Sequence, residues 1–300
     1  MKVNVSFDKA SGKFVGSVNG KVVVRSKYKD AVERRLNEMG GTVDFEAQEQ
    51  AAAVRDAKFG INTRFGFVEK LVTMVAAGVQ PSAVITGEGG LGKTYTVTKT
   101  LAQAGYQDIS DLGEFQVGEV LSRKTFITVK GYSTAKGLYR TLFENNKAVI
   151  VFDDCDAVLK DPVALNLLKG ALDSYGKRII SWNADMRDED LPRSFNFEGR
   201  VIFISNMDQN NIDQAIRSRS MLIDLSMTAD QKIDRMEFIA KCDSFMPEYD
   251  TKIKTDSLAL IRELKDEAKE ISLRTLISVC KVRASNPADY REMCEYMLCA

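Results

Sequence analysis

The chain has 300 residues, 44 % of them apolar and 28 % charged, which is the make-up of a folded globular protein with room for one large domain or two to three smaller ones. Lys plus Arg equals Asp plus Glu at 42 each, so net charge argues for neither a nucleic-acid nor a membrane partner, and no apolar run approaches the roughly 18 residues a membrane helix needs. Histidine is absent, which removes every imidazole ligand and base and leaves carboxylates, Lys, Arg and bound metal for any chemistry.

The charge balance hides an asymmetry. Residues 1–40 carry nine Lys/Arg against four Asp/Glu. In that stretch Val3, Val5 and Phe7 alternate with polar residues as a half-buried strand does. A turn around Asp8 to Gly12 follows, then Phe14, Gly16 and Val18, then Asn19-Gly20 before Val22 and Val24. Asn-Gly between alternating apolar residues predicts a hairpin, since both tolerate positive φ. Ala31, Val32, Leu36 and Met39 share one helical face that ends at Gly40-Gly41. The expected unit is a basic three-strand-plus-helix module over 1–41. Residues 42–60, rich in Glu, Gln and Ala, read as a helical linker.

A helical pattern (Val68, Leu71, Val72, Val75, Ala76) runs from Phe67 to Ala77, up to Pro81. Short apolar runs then alternate with helices: Ala83 to Thr86, Thr125 to Val129, Ala148 to Phe152, Val201 to Ser205 and Met221 to Leu225. Strands separated by helices indicate an α/β fold with a parallel sheet covered on both faces. From Thr228 the pattern is helical only, with about four helices. The five cysteines are scattered, without paired spacing for zinc, and read as reduced thiols of a cytoplasmic protein. No signal-peptide core opens the chain.

Two segments carry chemistry. Gly87-Glu88-Gly89-Gly90-Leu91-Gly92-Lys93-Thr94 fits G-x-x-x-x-G-K-[ST] between a strand and a helix. Glycines let the backbone curl so that several N–H groups point at phosphate oxygens. Lys93 supplies a charge to the outer phosphates and Thr94 a hydroxyl to Mg²⁺, while the helix opening at Tyr95 turns its positive end to the nucleotide. Sixty residues on, Val149-Ile150-Val151-Phe152 reads as a buried strand with Asp153 and Asp154 at its C-terminal end, where open α/β sheets bind ligands. Asp153 is placed to hold Mg²⁺, directly or through water, and Asp154 to polarise an attacking water.

With these residues the chain resembles the AAA+ ATPases over about residues 60–300. The resemblance implies an α/β P-loop core over 61–226, an all-helical lid over 227–300, ATP and Mg²⁺ as cofactors, ATP hydrolysis, and self-assembly into a ring or spiral, most often a homohexamer. It further implies a polar sensor at Asn206, which ends the strand Val201-Ile202-Phe203-Ile204-Ser205. Ile212 to Arg219 is similar to the family's arginine-finger segment, with Arg219 preferred to Arg217 because it follows Ser218. Ser272-Leu273-Arg274 is similar to the lid's second sensor, which brings Arg274 to the phosphates. The second acid of the apolar strand is usually Glu in that family; here Asp154 is one methylene shorter. Phe59, Gly60 and Ile61 lie where the family packs adenine. Tyr132 stands where relatives that thread protein carry a pore aromatic, and Lys177 to Arg200, with Trp182, Phe195 and Phe197, has the length of a hairpin reaching into a channel.

The N-terminal module is similar to small three-strand-plus-helix DNA-binding domains of phage-type integrases. Two readings of the target follow. One is an ATPase that loads, remodels or moves DNA or nucleoprotein, encoded by a phage or mobile element. The other is a protein unfoldase whose residues 1–40 select a protein client.

Overall fold

A computed structural model describes residues 3–8, 13–18, 21–27, 32, 35–36, 58–110, 124–131, 133–174, 176–183, 191–285 and 288–300. The expected turns at 9–12 and Asn19-Gly20, most of the helix predicted over 31–39, residues 42–57 of the linker, and Tyr132 lie outside the described residues. The chain divides into two compact units, Met1–Gly60 and Ile61–Ala300.

In the first unit, strands β1 (Val3–Asp8), β2 (Lys13–Val18) and β3 (Lys21–Ser26) form an antiparallel sheet in chain order. Val32 and Leu36 are fully buried against Phe14 and Val24. Gly16 makes that packing possible. A Cβ there would stand 2.5 Å from Val24 and 2.8 and 2.9 Å from Val32 and Leu36, closer than real side chains approach. Lys13 and Arg25 are exposed, and their register with Val15 puts them on the sheet face away from Gly16.

The second unit opens with helix α1 (Ile61–Ala76) and strand β4 (Ser82–Thr86). Helix α2 (Lys93–Gln103), β5 (Gln107–Asp108), β6 (Thr125–Lys130), α3 (Ala135–Glu144) and β7 (Val149–Asp153) follow. Next come α4 (Pro162–Ala171), β8 (Ile179–Ser181), β9 (Ser194–Asn196), β10 (Arg200–Ile204), α5 (Gln214–Arg217) and β11 (Met221–Asp224). Four helices close the chain: α6 (Ala229–Ala240), α7 (Thr251–Glu263), α8 (Leu273–Ser285) and α9 (Tyr290–Cys299).

Six strands form one parallel sheet in the order β11-β4-β10-β7-β6-β5. The uniformly apolar strands are explained by burial on both faces. Val149 and Val151 of β7 turn to the layer containing α1 and α2, and Ile150 and Phe152 to the layer containing α3 and α4. Ile202 and Ile204 of β10 join the first layer, Val201 and Phe203 the second. Such alternation hides side chains of both parities from water, so the central strands cannot shift register without exposing one layer.

Helix α1 starts six residues earlier than the apolar pattern predicts, because Arg64 in its first turn is buried rather than exposed. Its guanidinium donates to Ser226 O at 2.8 Å and Gln231 Oε1 at 3.1 Å. Arg235 of α6 answers from the other side, donating to Asn62 Oδ1 at 3.0 Å and stacking 3.6 Å over the Phe65 ring. Burial pushes the Arg235 guanidinium down to about 10. These two arginines lock the helical tail to α1. Within the tail, Ile233, Met236, Leu260, Ile261, Leu276, Cys280 and Cys294 form a separate core. Cys280 and Cys294 act there as small apolar residues, and burial holds both thiols above their ordinary range.

The segment Lys177 to Arg200 contains an antiparallel hairpin, β8 with β9. Its described aromatics pack against the core of the same chain. Trp182 packs tilted and Phe195 edge-on against Tyr139 of α3, with ring centroids 5.8 and 5.3 Å away, and Phe197 is buried. Aromatic area of this size is stabilised most by packing on an apolar helix face, here that of α3. No described helix is long and apolar enough to cross a membrane.

Candidate nucleotide site

Strand β4 delivers the chain at Thr86 into the glycine loop, beside β11, where Leu225 N–H donates to Thr86 O at 2.9 Å. Gly87 has φ of 132°, and a Cβ on it would meet the Leu225 backbone at 2.8 Å, so only glycine fits this exit. Leu91 turns its side chain wholly into the core under α2. It therefore anchors the loop, leaving its backbone for a ligand. Helix α2 begins at Lys93, and both Lys93 and Thr94 stand in its first turn.

Lys93 is buried, and its ammonium donates to Gly87 O at 2.6 Å, Glu88 O at 2.7 Å and Asn206 Oδ1 at 2.9 Å. All three of its hydrogens are used, so a phosphate oxygen must exchange with one of these acceptors. Burial lowers its pKa, opposed by the charges of Asp154, Asp153, Asp156 and Glu88. Thr94 Oγ1 donates to Asp153 Oδ1 at 3.0 Å. Asp153 is itself buried, which raises its pKa against the Thr94 hydrogen bond, while neighbouring Asp154 raises it further and Lys130 and Lys93 lower it.

Asp154 is one of two described non-glycine residues at positive φ, at 55°. This conformation costs an aspartate some stability and persists only where neighbours enforce it. Here its N–H is tied to Ile204 O of β10 at 3.0 Å, and its carboxylate accepts from Asn206 Nδ2 at 2.7 Å. Asn206 thus bridges Lys93 and Asp154. With Oδ1 toward the ammonium and Nδ2 toward the carboxylate, its amide has the one orientation that satisfies both. Ser205 sets the turn that aims it, donating to Asp156 Oδ1 at 2.6 Å and accepting from Met207 N at 3.0 Å.

A cavity of about 390 Å³ opens over these groups at the C-terminal ends of the strands. Gly89, Gly90 and Gly92 line it on the loop side, with exposed Tyr95, Lys130 and Arg274 at its rim. The tail closes on the loop through two contacts. Leu273 N–H donates to Gly90 O at 2.8 Å, and Lys232 of α6 forms an ion pair with Glu88.

Arg217 and Arg219 do not line this cavity. Arg219, half-buried, folds back on Ala215 O at 3.1 Å, and its Nε is buried with no partner among the described residues. Arg217 is exposed at the end of α5. Ile61 is a core residue of α1 rather than part of an open pocket. Three side chains close to the loop and carboxylates carry no motif signal: Lys130, Asp156 and Lys232. Lys130 is brought there by sheet register, because it is paired to Asp153 where β6 and β7 end level.

The donor set suits a magnesium-bound nucleotide. A hydroxyl and a carboxylate 3.0 Å apart offer hard oxygens to a small divalent cation, beside an ammonium and a glycine loop for phosphates. A parallel sheet carrying this loop at one strand end and paired acids two strands away makes the fold an α/β P-loop core with a helical C-terminus. Residues 83–228 match the family described as ATPase family associated with various cellular activities. The chain is also similar to an uncharacterized 36.7 kDa protein from the nrdC-mobD intergenic region of Enterobacteria phage T4. The two are 29 % identical over 201 residues, covering 62 % of this chain and 57 % of that relative's length.

Proposed function

We propose that the protein binds ATP with Mg²⁺ in the 390 Å³ cavity and hydrolyses it within an assembly of its own copies. The observation that carries this reading is the continuous network Thr94–Asp153 and Lys93–Asn206–Asp154 at one end of the sheet. The loop backbone from Gly87 to Gly92 and the Lys93 ammonium grip the β- and γ-phosphates. Thr94 and Asp153 hold the metal, which when bound neutralises charge on the phosphate oxygens. Asp154 orients the attacking water and takes up its proton, and Asn206 fixes the carboxylate's direction toward the γ-phosphate. Arg274, on the tail's side of the cavity, pairs with the phosphates. Tyr95, at the outer rim, borders the nucleotide.

Arg219 supplies the finger to a neighbouring subunit, with Arg217 as the alternative. A guanidinium suits that task because it stays charged and spans several oxygens. The assembly is a homohexameric ring or spiral. Its segments are a basic module over 1–41, a linker over 42–60, the ATPase core over 61–226 and a lid over 227–300.

For the target we favour DNA or nucleoprotein. The surplus of basic residues in 1–40, and Lys13 and Arg25 on the sheet face away from Gly16, support it, as does the likeness to a phage protein. Turnover measured in parallel with double-stranded DNA, single-stranded DNA, RNA and unfolded protein decides the matter. Stimulation by DNA that fades with salt is expected. Stimulation by unfolded protein alone would replace this target with a protein client. For the site itself, Lys93→Ala should weaken ATP binding by about a hundredfold, since it removes the ammonium that would exchange one of its protein acceptors for a phosphate oxygen. Calorimetry showing unchanged affinity would refute the cradle.

A further inference from the structure

Among the described residues, Lys130 is the one cation at the cavity rim that is paired with the metal-holding carboxylate. Its Nζ stands 3.9 Å from Asp153 Oδ2, while Thr94 takes the other oxygen, Oδ1. The placement is built into the sheet, because Lys130 ends β6 at the register position of Asp153 in β7. The side chain is otherwise open, 69 % exposed, with no second partner among the described residues. Asp153 and Asp154 bring two adjacent carboxylates to the end of β7, and Lys93 is already shared among three acceptors.

From this geometry we infer that Lys130 is a tethered counter-ion of the metal site, standing in for the divalent cation's charge when none is bound and yielding to it when it arrives. Two carboxylates facing a polyanionic triphosphate repel it unless a cation lies between them. The divalent ion performs that task when present. Lys130 performs part of it otherwise. Because both cations seek Asp153, the ammonium opposes the metal, and a long exposed stem lets it withdraw at little cost. The inference rests on the ATP-site reading and adds a residue that tunes how strongly nucleotide affinity depends on metal.

The test is direct binding, free of turnover. Affinity of the full chain for a non-hydrolysable ATP analogue is measured with Mg²⁺ and with EDTA, and the ratio of the two gives the metal-linked gain. In Lys130→Met the EDTA affinity should fall while the Mg²⁺ affinity holds or rises. The gain should thereby grow about fivefold, the size an exposed ion pair permits. Lys130→Arg, which keeps the charge, should stay near the parent value. An unchanged or reduced gain in Lys130→Met, with the parent chain binding normally, overturns the counter-ion role. A parent chain that binds no nucleotide under either condition overturns the ATP-site reading instead. Unchanged thermal melting of both variants shows that the comparison is made on folded protein.

Discussion

Asp154 and Arg219 are held in opposite ways. Asp154 is forced into left-handed backbone, tied to β10 and bonded through its carboxylate to Asn206, within a network that includes Lys93. Arg219 spends its guanidinium on the carbonyl of its own short helix and leaves Nε buried without a partner. The first arrangement is finished inside one chain. The second has no carboxylate partner among the described residues. Under the proposed function, a single subunit therefore has what binding requires, while full catalysis waits for a neighbour.

Substitutions in the two regions should separate these roles. The largest effect is expected at the finger. Arg219→Ala should cut ATP turnover by about 10³–10⁵ with nucleotide affinity little changed. Mixing it with an Asp154 variant should restore part of the activity, since some interfaces then pair an intact finger with an intact carboxylate. If no mixing ratio restores turnover, the two residues do not work across subunits. Should Arg217→Ala instead show the large loss, the finger is the exposed arginine. Next, Asp154→Asn should lower turnover by about 10²–10⁴, the usual worth of a general base, while ATP stays bound. Turnover equal to the parent's would move the water-orienting role elsewhere. The smallest effect belongs to the tail's grip on the loop. Lys232→Met breaks the ion pair with Glu88, whose side chain is 58 % exposed, so nucleotide affinity should change by only about two- to fivefold. A hundredfold loss, measured by the same calorimetry, would mean that Lys232 contacts the nucleotide.

The parts legible in the sequence were those whose physics is local. The glycine loop must have glycine at Gly87, and strands buried on both faces, such as β4, β7 and β10, must be mostly apolar; these, with β6 and β11, lie within a residue or two of the apolar runs. Contacts between residues distant in sequence were not legible. Arg64 reads as a surface residue until Ser226 and Gln231 surround it. Trp182 and Phe195 suggest a projecting hairpin because nothing near them in sequence reveals the Tyr139 face they cover. Lys232 and Glu88 are 144 positions apart, and neither carries a motif that announces the other.

The hydrogen bond from the Leu273 amide to Gly90 O differs in kind from the ion pair beside it. It is made entirely by main chain, so every amino acid except proline at position 273 can keep it. Evolutionary drift at that position can alter the packing of α8 without uncoupling it from the loop. Any displacement of Gly90 as phosphate is gripped or let go is thus delivered to the first turn of α8. The helical tail receives that movement through a link that side-chain mutation hardly reaches.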